Sequence, residues 1–159
     1  MATIFSLKTK TIFLFLAIFF VGILLGGYLF SDTRTRSFLA FHECKNTCLE
    51  PQELTGLAAS VGIQRFSNLI PFVVKETEKT IAIRHPFPRA DVHFVIIPKK
   101  DIPNAGEISD EDGEYLLDAY AVMSSLIKEK NLKKYKIVTN GPRYQTIGYL
   151  HFHLVSLEQ

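Results

Sequence analysis

Acidic side chains are missing from the first 31 positions of this chain. Asp32 is the first, and before it only Lys8 and Lys10 carry charge. Residues 11–30, TIFLFLAIFFVGILLGGYLF, have no charge of either sign. A helix of that length spans about 30 Å, the thickness of a bilayer's hydrocarbon core. A cleavage site is missing too. Gly27-Tyr28-Leu29-Phe30-Ser31 has no small-x-small pattern, and the run exceeds the roughly 7–15 apolar residues of a secretory signal. We therefore expect a retained anchor over residues 11–30 that crosses the membrane once, preceded by a short basic segment, 1–10.

Net charge is absent beyond the anchor. Residues 32–159 hold 16 basic and 16 acidic side chains, so the overall +2 comes from Lys8 and Lys10. Nucleic-acid binding through bulk charge is excluded as an expectation. Lys8 and Lys10 before the helix, against Arg34 and Arg36 offset by Asp32 after it, give a slight lean toward a cytoplasmic N-terminus. Cysteine is scarce, with only Cys44 and Cys48 present. Free thiols, a disulfide and a metal cluster with His42 and Glu43 stand in that order of preference, since C-x3-C is not the usual zinc spacing. There are no repeats and no low-complexity tract.

The remaining chain divides into a partly helical connector, residues 31–66, and one domain, residues 67–159. Within the connector, residues 54–66 are weakly helical, because Gly56 and Gly62 lower helix propensity. Residues 72–84 fit two short strands around a polar turn at 76–79. His85-Pro86-Phe87-Pro88-Arg89 is a loop, since its prolines forbid regular pairing. His93-Phe-Val-Ile-Ile-Pro98 has the apolar, β-branched run of a central strand. Ser109 and the acids after it predict a helix start, with Leu116, Leu117, Tyr120, Met123 and Ile127 as its apolar face. Residues 135–140 read as a strand, 141–144 as a tight loop and 145–155 as the last strand. The order gives an α+β domain with a mostly antiparallel sheet.

On a strand, Tyr149, His151 and His153 point one way and Leu150, Phe152 and Leu154 the other. Two adjacent imidazoles permit metal binding, acid–base chemistry or nucleophilic catalysis. A metal wants a third ligand, and none is adjacent in the sequence. A nucleophilic ring needs an acceptor on its other nitrogen, such as a backbone carbonyl.

From about Ile70 to Val155 the chain resembles the histidine triad (HIT) superfamily of nucleotide hydrolases and transferases, in its Hint-like branch. The resemblance rests on Ile70-Pro71, on His93-Phe-Val-Ile-Ile-Pro-Lys-Lys, on Asn140, on Gln145-Thr146, and on His151-Phe152-His153 in order. It implies a HIT-like fold with a five-stranded sheet and one main amphipathic helix. It also implies a catalytic group of His151, His153, Thr146 and His93. His151 would attack an α-phosphorus and form a covalent nucleotidyl-histidine. His153 would contact the phosphate, and Thr146 would donate to it or assist the leaving group. Substrate contacts would come from Asn140, Gln145, Tyr149, His85, Ile83 and Arg143. No cofactor or metal is implied. The implied partners are a nucleotide or nucleoside phosphoramidate and a second copy of the chain. Tyr149 stands where the family has its first histidine, and His85 where it has a ribose-binding aspartate.

Overall fold

The computed structural model describes residues 2–39 and 48–157, with side chains from residue 10 onward. Helix α1, Ala2–Phe30, lies in one compact unit, and residues from Thr33 onward form a second. Within α1, Lys10–Phe30 is long and apolar enough to cross a membrane, and none of its residues is buried.

The second unit contains helix α2 (Pro51–Arg65), strands β1 (Val73–Glu76), β2 (Thr80–Arg84) and β3 (Val92–Pro98), helix α3 (Gly113–Glu129), and strands β4 (Lys136–Val138) and β5 (Phe152–Ser156). The strands make one antiparallel sheet in the order β1-β2-β3-β5-β4. This is the HIT-like α+β fold. Thr77 shapes the β1–β2 turn: its Oγ1 accepts from the backbone N–H of Thr80 at 2.9 Å and of Lys79 at 3.2 Å.

β3 is the apolar centre of the sheet, pairing with β2 through Ile83↔Val95 and with β5 through Val95↔His153. Directly paired residues share a face. One face, with Ala82, Phe94, Ile96, Phe152 and Leu154, packs against Ala119, Val122, Met123 and Leu126 of α3. The opposite face carries Ile81, Ile83 and Ile97, and there Ile63 of α2 and Tyr149 close a second, smaller core. The histidines stand on this second face, beyond the part covered by Ile63 and Tyr149.

α3 is led in by the 3-10 turn Asp110–Asp112, where Ser109 and Asp112 form a reciprocal capping box as expected. It ends at Asn131 (φ 51°), where the Leu132 N–H bonds to the Ile127 carbonyl and the Asn131 N–H to the Lys128 carbonyl. Its buried face differs from the expected one. Leu117 and Tyr120 are exposed, and Ala119, Val122 and Leu126 take the core positions. The last strand is also shorter than expected. Residues 145–151 form a turn and an irregular approach, so strand alternation does not govern Tyr149. Lys99 and Lys100 meet Glu76 at 2.6 Å and Asp112 at 2.7 Å. Cys48 is disulfide-bonded rather than a free thiol. Cys44 and the expected cluster with His42 and Glu43 lie outside the described residues.

Candidate active site

Four imidazoles meet on the open face. Ring centroids are 5.0 Å apart for His151 and His153, 5.2 Å for His153 and His93, and 4.2 Å for His93 and His85. β5 supplies His153, the residue just before it supplies His151, and β3 supplies His93. The proline-bound loop after β2 brings His85 flat against His93, with an interplanar angle of 12°.

Backbone groups fix where each neutral ring keeps its proton. A carbonyl only accepts and an N–H only donates. His151 Nδ1 lies 2.7 Å from the Tyr149 carbonyl oxygen, so Nδ1 carries the hydrogen and Nε2 presents a lone pair. The Arg89 N–H donates to His93 Nδ1 at 3.4 Å, so His93 keeps its proton on Nε2. That proton is given to His153 Nδ1 at 3.0 Å, which leaves His153 with its own N–H at Nε2. The Phe87 N–H donates to His85 Nδ1 at 3.0 Å, so His85 also presents an Nε2–H. The result is one bare nitrogen, on His151, among ring donors.

The electrostatics favour the neutral forms of His153 and His93. Burial pulls His153 down to about 4, helped by the charges that His151, His93, His85 and Arg89 would place around it. Burial also lowers His93, with His85 and Arg89 adding to it. An extra proton on either ring would set N–H against N–H along the chain just traced.

The fold supplies the third ring that adjacency in the sequence did not. Ligand nitrogens of His85, His93 and His153 lie within 4.8 Å of one another. Metal-binding histidines donate their far N–H to an acceptor. Here the far nitrogens of His85 and His93 receive backbone N–H groups instead, so both Nε2 atoms are donors, that of His93 toward His153 Nδ1. That chemistry suits an anion better than a cation.

The other expected residues divide into groups. Ile83 is half-buried and lies in register with Val95 and His153, on the floor beside the row. Asn140 is half-buried next to Thr139, whose Oγ1 donates to the His151 carbonyl at 2.9 Å. Arg143 and Thr146 are exposed and line an open groove of about 590 Å³ with Glu50, Pro51 and Gln52. Two expectations need correction. Gln145 is buried, and its Nε2 donates to the Pro103 carbonyl at 2.9 Å, so its amide nitrogen ties down a neighbouring loop. Tyr149 is also buried. Its hydroxyl lies 3.0 Å from the Pro98 carbonyl and 2.9 Å from that of Lys100, and burial pushes the phenol above its ordinary pKa. The turn at 146–149 rolls this side chain under α2, so Tyr149 contributes its carbonyl to the row and not its ring.

Sequence reasoning missed two residues. Arg36 was counted only as a charge after the anchor. Its side chain is buried, donates to the Gly148 carbonyl at 2.6 Å, and pairs with Glu53 at 3.2 Å and with the buried Asp101. The peptide it grips leads directly into Tyr149. Arg89 was read only as the end of a loop, and its cation is felt at both His93 and His153.

A family model described as "Scavenger mRNA decapping enzyme C-term binding" matches residues 67–159. The chain is 35% identical over 85 residues to a HIT-like protein of Chlamydia pneumoniae, covering 52% of this chain and 77% of that one. It is 26% identical over 83 residues to a bifunctional adenosine 5′-phosphosulfate phosphorylase/adenylylsulfatase of Arabidopsis thaliana, covering 50% and 57% of the two chains. Among solved structures, a HIT family hydrolase from Legionella pneumophila superposes with a TM-score of 0.56 at 29% identity, over 61% of this chain and 91% of that one.

Proposed function

From the premise that the chain belongs to the scavenger-decapping C-terminal family of the histidine triad superfamily, we propose that it is a membrane-anchored nucleotide hydrolase or nucleotidyl transferase acting at the α-phosphorus. The observation that carries this reading is the pinned ring of His151, whose Nδ1–H is held by the Tyr149 carbonyl and whose Nε2 is bare.

In the first step the His151 Nε2 lone pair bonds to phosphorus, and the bond from phosphorus to the leaving oxygen or nitrogen breaks. The leaving group departs with that electron pair and takes a proton from solvent, while the Nε2–H of His153 donates to a phosphoryl oxygen on which charge builds. The Tyr149 carbonyl faces the positive charge that His151 gains on bonding. Water then attacks phosphorus, the phosphorus–nitrogen bond returns its pair to His151, and the water's proton passes to solvent. Nucleoside monophosphate is released. His93 holds His153 in the required tautomer throughout. Asn140 and Ile83 flank the substrate, and Arg143 and Thr146 serve the leaving group from their groove.

Incubating the full chain with a nucleoside 5′-phosphoramidate tests this. Free monophosphate should form through an acid-labile adduct on His151, and His151→Ala should lose both. A second reading is favoured by one specific observation: the phenol of Tyr149 is withdrawn, so the triad's first position adds no side chain to the site. On that reading the domain binds nucleotide without turning it over, and the same assay with wild-type protein separates the two.

The anchor reading draws on Lys10–Phe30, and the disulfide at Cys48 favours an oxidising compartment for the domain, with the N-terminus cytoplasmic. Protease protection in sealed vesicles tests that side. Exposed Leu117 and Tyr120 on α3, with the edge strand β4, support a homodimer through this side of the domain. Cross-linking in detergent tests it.

A further inference from the structure

The end of the histidine row farthest from His151 has an unusual polarity. Pro86 and Pro88 have no backbone N–H, so Phe87 is the one main-chain donor across residues 86–88. That donor is committed to His85 Nδ1, which turns the half-exposed His85 into a fixed donor at Nε2. Stacking on His93 restrains the ring further. Arg89 follows within the same loop. Its backbone N–H serves His93, its side chain is exposed, and among the described residues its guanidinium has no carboxylate partner. Its charge is among those that lower His93 and His153, as stated above. The nearest carboxylate in sequence, Asp91, lines a small cleft with Arg84, Lys130 and His93. None of the described carboxylates hydrogen-bonds to His85, His93 or His153.

A pair of free ribose hydroxyls asks its binding site for acceptors, and a carboxylate supplies two. This corner supplies an N–H and a guanidinium. Such groups match an oxyanion, and a guanidinium is well suited to bind phosphate in a two-pronged fashion.

We propose that the substrate is a nucleotide bearing a second anionic group, a phosphate on the ribose 2′ or 3′ oxygen, held between His85 Nε2–H and Arg89 while its α-phosphorus faces His151. This rests on the nucleotidyl reading of the site and names its substrate class. The added phosphate brings close to two negative charges at neutral pH. The fixed donor and the exposed cation receive it in place of the diol.

Two measurements on the full chain in detergent test the proposal. The first compares kcat/KM for adenosine 5′-phosphoramidate with its 2′-phospho and 3′-phospho derivatives. The second compares calorimetric affinity for adenosine 5′-monophosphate with that for the 2′,5′- and 3′,5′-bisphosphates. One phosphorylated isomer should exceed the unmodified compound at least tenfold in both. Arg89→Gln should shrink that ratio, and His85→Asp, which exchanges the donor for an acceptor, should shrink or invert it. If no probe turns over, the hydrolase reading fails and the binding ratio alone decides this inference. Monophosphate binding as tight as the bisphosphates, or no binding by any of them, overturns it.

Discussion

Arg36 and Gly148 stand 112 positions apart, yet the Arg36 guanidinium donates to the Gly148 carbonyl at 2.6 Å. The next carbonyl along, that of Tyr149, orients His151. The segment that follows the hydrophobic helix is therefore part of the framework of the candidate site rather than a spacer.

Arg36→Met should leave Asp101 buried without its cation. Removing one partner of a buried pair costs about 3–5 kcal/mol, and denaturant unfolding of the domain should report a loss of that order. A fragment beginning at Thr33 should keep the fold, whereas one beginning at Ser67 should melt well below it. Equal melting temperatures would mean that residues 33–66 contribute no stability.

Gly56→Ala reaches the same framework from α2. A Cβ there would lie 2.4 Å from the Gly148 carbonyl oxygen and 2.6 Å from Arg36. Overpacking of this kind costs about 1–3 kcal/mol. Because the clash displaces the peptide before Tyr149, kcat should fall as well. A melting point shifted without any change in kcat would uncouple Gly148 from the site.

Tyr149→Phe should behave differently. It deletes the hydroxyl bonded to the Pro98 and Lys100 carbonyls and keeps the carbonyl that holds His151. Leaving buried acceptors unmet costs about 1–3 kcal/mol. Thermal unfolding should show that loss while kcat/KM stays within a few-fold. A hundredfold loss of kcat/KM at unchanged stability would put the phenol back in the chemistry.

The pH dependence of stability has a defined sign. His153 is lowered to about 4 in the folded chain, from an ordinary value of 6.5. Above pH 6.5 both states hold it neutral and it adds no pH dependence. As pH falls from 6.5 toward 4, the unfolded chain takes up a proton that the folded chain refuses, so stability falls through this window and levels off below it. His93, lowered in the same direction, adds to the slope. His153→Gln should flatten the fall in melting temperature between pH 6.5 and 4. An unchanged slope would assign it to other groups.

The parts of the fold that were legible in the sequence are those with local causes. The apolar run of β3, the Ser109 capping box and the proline loop at 86–88 each follow from residues adjacent in the chain. The pairing of His93 with His153 was legible only through resemblance to a family. Alternation failed at Tyr149 because a turn, pinned at Gly148 by Gln52 and Arg36, interrupts the strand before the row begins. Helical periodicity placed Leu117 and Tyr120 with the core because both lie on the flank of the same apolar stripe. No local pattern could announce Arg36, whose carbonyl partner lies at the other end of the domain. Arg89 and the tautomer of His85 depend on which backbone N–H groups a loop leaves available, which composition does not record.

Because main-chain groups set the proton positions on His151, His93 and His85, the row has a direction, as a bar magnet has poles. Its one ring-to-ring bond runs from His93 Nε2–H to His153 Nδ1, and His151 ends the row with its bare nitrogen. Exchanging a neighbouring side chain can weaken that order but cannot reverse it, since reversal would require the peptide at Arg89 to turn over. An inhibitor that mimics only the charge of the reacting phosphate will meet a half-matched partner. One that offers an acceptor to His153 and an electrophile to His151 will find each waiting on its own side.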